Sequence, residues 1–104
     1  MKIGNQSKSI VLNVPALLWD GSKQLAGILS LTPKNLLFEY DNIQNSHLNL
    51  VIPLANIETV EFLLLFDFSR NGLKIKSKEG HFDLFVLDQP ETIRWAIMKA
   101  IAGL

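Results

Sequence analysis

The sequence has no cysteine. That excludes a disulfide framework, a thiolate metal site and a cysteine nucleophile, and it fits a reducing compartment. Neither sign of charge is in surplus, because ten Lys and Arg balance ten Asp and Glu. Nucleic-acid binders usually carry a basic excess, so neither DNA nor RNA is an expected partner. No apolar run approaches the roughly 20 residues that a membrane-spanning helix needs. The opening MKIGNQSKSI lacks the apolar core of a signal peptide. The expectation is a soluble, cytoplasmic protein.

Catalytic signatures are equally sparse. There are two histidines, His47 and His81, and no H-x-x-x-H pattern, so a metal site with three or four ligands is not expected. Neither G-x-G-x-x-G nor G-x-x-x-x-G-K-S/T occurs, which leaves a nucleotide-phosphate cradle unsupported. His81 and Asp83 stand at i and i+2 on one strand face and can touch. No serine or second histidine is placed to complete a nucleophile–base arrangement with them. We expect a non-enzyme with no cofactor and no metal.

What is present is a regular alternation of apolar segments and turns. The 104 residues suit one domain with one core. Residues 1–8 are polar and predict a flexible N-terminal leader, with a single domain over residues 9–104. Seven extended segments follow: Ser9–Trp19, Lys23–Thr32, Leu36–Tyr40, His47–Pro53, Asn56–Phe68, Leu73–Lys78 and His81–Leu87. Pro15 marks the first as bent or at an edge. Asp20-Gly21, Pro33-Lys34-Asn35 and Glu79-Gly80 are turn signals, and Asn71-Gly72 predicts a two-residue hairpin. Alternation assigns Leu25, Gly27, Leu29, Leu31, Leu36, Phe38 and Tyr40 to the core face. The same rule turns Val60, Phe62, Leu64, Phe66 and Phe68 inward, with Leu73, Ile75, Phe82, Leu84 and Val86. With no helical crossover between strands, the sheet should be antiparallel.

The last stretch predicts one amphipathic helix over residues 88–103. Asp88 can cap it, with Glu91 completing a capping box and Pro90 in the first turn. At 100° per residue Ile93, Ala96, Ile97, Ala100, Ile101 and Leu104 share one side. Trp95, Met98 and Ala102 lie opposite.

Two segments carry a resemblance. Gly27-Ile28-Leu29-Ser30-Leu31-Thr32 followed by Asn35-Leu36-Leu37-Phe38 resembles the "G-x-L-x-L-T…L-x-F" segment of GRAM domains. Ile52-Pro53-Leu54 with Ile57-Glu58-Thr59-Val60-Glu61 is similar to their "I-P-L-x-x-I-x-x-V" segment. Gly72-Leu73-Lys74-Ile75 and the closing helix fall where that pattern puts them, so the match spans roughly residues 10 to 103. GRAM domains belong to the pleckstrin-homology-like superfold. The resemblance implies a mainly β fold with one C-terminal α-helix: a seven-stranded antiparallel, partly open barrel of two packed sheets, capped by the helix. It also implies a non-catalytic module that binds phosphoinositides, proteins or peptides. Relatives that grip inositol phosphates concentrate Lys and Arg around the first hairpin, whereas WDGSKQ here holds only Lys23. Many relatives place a tryptophan on the inner face of the last helix, where this chain has Ile93.

Two surfaces are therefore candidates. Leu63, Leu65, Phe85 and Leu87 are expected on the outer face of strands five to seven, and Trp95 and Met98 on the outer face of the helix. Together they predict a protein–protein or self-association interface. The alternative is weak binding of acidic phospholipid head groups, a peripheral membrane contact, through Arg70, Lys74, Lys76 and Lys78. A third class, a barrel enclosing a small apolar ligand, is less favoured.

Overall fold

A computed structural model describes residues 10–21, 23–41, 49–65 and 69–104. The expected leader lies outside the described residues, as do His47, Leu48, Phe66 and Phe68 and the side chains of Leu64, Leu65 and Arg70. Seven strands appear in chain order: β1 (Leu12–Asp20), β2 (Lys23–Leu31), β3 (Asn35–Tyr40), β4 (Leu50–Pro53), β5 (Ile57–Leu65), β6 (Ser69–Ser77) and β7 (Phe82–Val86). One turn of 3₁₀ helix, Leu54–Asn56, separates β4 from β5, and α1 (Pro90–Ala102) follows β7. The mainly β, antiparallel and incompletely closed fold with one C-terminal helix is as expected. The strands make one continuous seven-stranded sheet in the order β4-β3-β2-β1-β7-β6-β5, and its neighbours pair antiparallel. The sheet is not closed. Its two halves meet where β1 pairs with β7, over Leu17↔Val86, Leu18↔Phe85 and Trp19↔Leu84. Pro15 is two residues outside that seam, where β1 is paired with β2 alone, so its missing N–H breaks no β1–β7 bond.

Local chemistry explains the turns. Thr32 Oγ1 accepts from Asn35 N at 2.9 Å and donates to Asn35 O at 3.1 Å, which closes the β2–β3 turn around Pro33. Gly21 and Gly80 supply the positive φ of the β1–β2 and β6–β7 turns. Asn71-Gly72 is not a turn. Gly72 lies inside β6, opposite Leu63 of β5 and Val86 of β7. With neighbours on both sides, pairing overrides the local turn preference.

The core holds Leu18, Leu29, Leu31, Leu36, Phe38, Leu73, Ile75 and Phe85 from the sheet, with Ile93 and Ile97 from α1. Strand β7 is in the opposite phase to the expected one. Phe85 is 0% exposed and Leu87 5%, whereas Phe82 is 49% exposed. The cause is register: β7 sets Phe85 beside Leu73, which already faces the core, and Phe82 beside Lys76, which faces out. Phe85 then meets Phe38 with ring centroids 5.5 Å apart. Strand β5 shifts register between Ile57 and Thr59. That irregularity lets Ile57 and Val60 both turn inward although they stand at i and i+3.

The helix begins later than expected and without the expected cap. Gln89 occupies the N-cap in the left-handed region, and no side chain closes the first turn. Pro90 is buried as the first helical residue, where its fixed φ suits the helix and it has no N–H to leave unpaired. Ile93 and Ile97 are fully buried, but Leu104 lies past the helix end and is exposed.

Candidate functional site

Because Ile93 and Ile97 fix which side of α1 faces the core, Trp95 and Met98 are directed away from it. Trp95 is 64% exposed, and Met98 is exposed as well. The ammonium of Lys99 stands 4.8 Å from the centre of the Trp95 ring, a contact worth about 0.5–1 kcal/mol at an exposed site. Beside this ring runs an open groove of about 410 Å³, walled by Trp95, Ala96 and Ala100 of the helix, by Val11 just before β1, by Leu31 of β2 and by Pro33 of the β2–β3 turn. Small side chains on the helix keep the groove open, and the chain enters the fold along its other wall, where Val11 N donates to Leu31 O at 2.7 Å. Exposed Ile10 and Leu104 add further apolar surface.

On the far side of the helix, Arg94 ties α1 to the sheet edge. Its Nε donates to the Val60 carbonyl at 2.8 Å, and its guanidinium lies 5.2 Å from the Phe62 ring centre. Phe62, expected in the core, shares the face of Leu73 but is half exposed beneath this cation.

The outer face of β5–β7 differs from the expected patch. Phe85 and Leu87 are buried and cannot contribute. Their places are taken by Phe82, Leu84 and Val86, continued onto β1 by the register partners Leu17 and Trp19. Leu63 is half-buried on this face, and the side chains of Leu65 and Arg70 lie outside the described residues. Lys74 and Lys76 share the face, as alternation requires, but neither stands apart. Lys74 lies 4.8 Å from the Phe82 ring centre and opposite Glu61. Lys76 Nζ lies 3.9 Å from Glu58 Oε1. Lys78 is exposed at the β6–β7 turn.

A third feature is a cavity of about 290 Å³ between β4 and the β6–β7 hairpin. Its floor is apolar, from Leu50, Ile52 and Ile75, and its titratable groups are Asp83, His81 and Glu79, with Asn56 and Ser77 also in the lining. Asp83 is opposite Ile75, on the core face, so the phase that buries Phe85 also carries a carboxylate inward. Its side chain is only 15% exposed, 3.4 Å from His81 Nε2. Burial pushes its pKa up, and the His81 interaction offsets this in part. Glu79, on the exposed turn, behaves oppositely. A hydrogen bond from Asn56 Nδ2, then one with Ser77, hold its pKa below the ordinary carboxylate value. Sequence reasoning places His81 and Asp83 near each other, but it turns Asp83 outward. The signal that could have found the cavity is an acidic residue in phase with Phe85 and Leu87. Among the described residues no three His, Asp or Glu side chains converge as a metal ion would need, and no helix is long and apolar enough to cross a membrane.

No protein-family model and no curated protein sequence matches the chain. Solved structures do. The C-terminal domain of an unknown protein from Leishmania infantum superposes with a TM-score of 0.81 at 16% identity, covering 91% of this chain and 85% of that one. The N-terminal PH domain of Vps36 gives 0.74 at 13% identity, covering 97% and 84%. The DH/PH domains of p115-RhoGEF give 0.75 at 12% identity, covering 93% of this chain but 31% of that one. At such identities the likeness defines the fold: a pleckstrin-homology-like open sheet with one C-terminal helix. Fold alone assigns no ligand.

Proposed function

We propose that the chain is a non-catalytic binding module of the GRAM and pleckstrin-homology type, and that it engages protein, either a partner or a second copy, through the groove beside α1. The carrying observation is Trp95, largely exposed at the rim of an apolar groove. Tryptophan is among the residues that most often dominate binding energy at protein interfaces. Burying Trp95, Met98 and Val11 fully is worth about 1.5–3 kcal/mol each. Association costs about 4–15 kcal/mol, so neighbouring surface such as Ile10 and Leu104 must join the contact.

The test compares wild type with Trp95→Glu. Size exclusion with light scattering reads self-association, and affinity capture with both chains side by side reads other proteins. A dimer or a captured protein lost in Trp95→Glu supports the groove. Unchanged oligomeric state and unchanged partners in that variant would place the contact elsewhere.

Acidic phospholipid is the second reading, favoured by the row of Lys74 and Lys76 leading to exposed Lys78. Each lysine near an anionic surface is worth about 1 kcal/mol. Glu58 and Glu61 sit within that row and offset part of the attraction. Sedimentation with acidic and with neutral liposomes decides it. Salt-sensitive binding that a Lys74/Lys76/Lys78→Glu variant loses would establish the lipid contact.

A further inference from the structure

We infer that the cavity between β4 and the β6–β7 hairpin is a socket for a single cationic side chain, an alkylammonium or alkylguanidinium group carried by a partner polypeptide. This is independent of the groove beside α1, which lies against other elements of the fold.

Three observations converge on a cation with an aliphatic stem. The first is charge. Asp83 and Glu79 are both in the lining, and among the described lining residues only His81 can become cationic. A phosphate or carboxylate ligand would meet two like charges, so anions are excluded. The second is the state of Asp83. It is largely buried on the core face beside Ile75, and its described ion-pair partner is His81, which is charged only when protonated. An ionised carboxylate held out of water without a permanent cation is destabilised, and an incoming cation removes that penalty. Nothing comparable holds for Glu79, which Asn56 and Ser77 already satisfy. The third is shape. The floor of Leu50, Ile52 and Ile75 suits a methylene chain, with the charged end reaching Asp83, as lysine and arginine stems pack on apolar surface elsewhere. At about 290 Å³ the cavity falls just below the range for small-molecule pockets, about 300–1,000 Å³. That suits one side chain better than a metabolite.

The test is a titration of the isotope-labelled full chain, followed by amide NMR shifts. The probes are Nα-acetyl-argininamide, Nα-acetyl-lysinamide and, as the uncharged control, Nα-acetyl-norleucinamide. Saturable shifts of Ile52, Ile75, His81 and Asp83 are expected with at least one cationic probe and none with norleucine. Asp83→Asn keeps shape and removes charge, and it should weaken binding by about tenfold or more. Its unfolding curve confirms that it is folded. A short peptide bearing the preferred residue should bind more tightly than the isolated amide; equal or weaker peptide binding would assign the socket to free amines and overturn the polypeptide part of the proposal. Absence of saturable shifts with both cations at tens of millimolar, equal shifts with norleucine, or unchanged affinity in Asp83→Asn would overturn the socket itself.

Discussion

The ring of Phe38 occupies the space that Gly27 leaves without a side chain. A Cβ at Gly27 would stand 2.7 Å from Phe38 Cζ and would also collide with the Glu39 carbonyl oxygen. Phe38 in turn touches Tyr40 and Phe85, at centroid distances of 5.3 and 5.5 Å. The glycine thus sets how closely β2 and the central aromatic cluster approach.

Gly27→Ala should therefore destabilise the fold although it adds one methyl group. Overpacking of this kind costs about 1–3 kcal/mol, and the carbonyl contact cannot be relieved by a rotamer change. Chemical denaturation measures it. Stability equal to wild type would mean that β2 and β3 can separate freely at this point.

Asp83 gives a pH prediction. Burial raises its folded pKa above the ordinary value of 3.8, so in the window between the two the folded state holds more protons than the unfolded one. Stability from this group is then fully present below 3.8 and is lost as pH rises through the raised folded pKa. Asp83→Asn removes the burial penalty on the ionised form, so it should unfold at higher temperature than wild type at neutral pH. The difference should shrink as pH falls toward 3.8. The interaction with His81 reduces the penalty. Thermal unfolding across pH checks this, and a neutral-pH loss of stability in Asp83→Asn would contradict it.

The two sides of α1 should respond differently to substitution. Ile93→Ala opens a hole in the core and should cost about 2–5 kcal/mol. Trp95→Glu should change stability by no more than about 1 kcal/mol, the worth of its exposed contact with Lys99, while abolishing the contact proposed for the groove. If Trp95→Glu unfolds as readily as Ile93→Ala, the ring is structural and its exposure carries no binding role.

Arg94 covers part of an otherwise open strand. With Arg94→Met the helix keeps its apolar stem but the Val60 carbonyl loses its donor, a loss of about 1–3 kcal/mol if the group stays dry. Exposed strand edges also template association. The variant should aggregate sooner on mild heating, read by light scattering against wild type.

Strand number and the closing helix are legible because Asp20-Gly21, Pro33-Lys34-Asn35 and Glu79-Gly80 punctuate apolar runs, and because Ile93 and Ile97 repeat at helical spacing. The phase of β7 is not. Phe82, Leu84 and Val86 are as apolar as Phe85 and Leu87, and only the pairing of Leu73 with Phe85 decides between them. Asn71-Gly72 misleads for a related reason: a turn preference of two residues is weaker than ladder pairing on both sides of Gly72. The helix start is hidden because Gln89 takes a left-handed conformation that its residue type does not announce. Of the candidate surfaces, the exposure of Trp95 and Met98 follows from helical angle alone. The cavity around Asp83 depends on the β7 phase and so is invisible without the pairing.

The seam between β1 and β7 has a further consequence, for the order of assembly. It joins three residue pairs whose members lie near opposite ends of the chain, so forming it closes a long loop for few contacts. The β1–β2 and β5–β6 hairpins close over short distances and have no such barrier. Refolding should thus begin as two separate half-sheets and finish when the seam zips. Pulse-labelled hydrogen exchange would show protection of the amides bonded between β1 and β7 arriving after that of the amides bonded within the β1–β2 and β5–β6 hairpins. Any nascent chain would likewise have to wait for β7 before its two halves share a core.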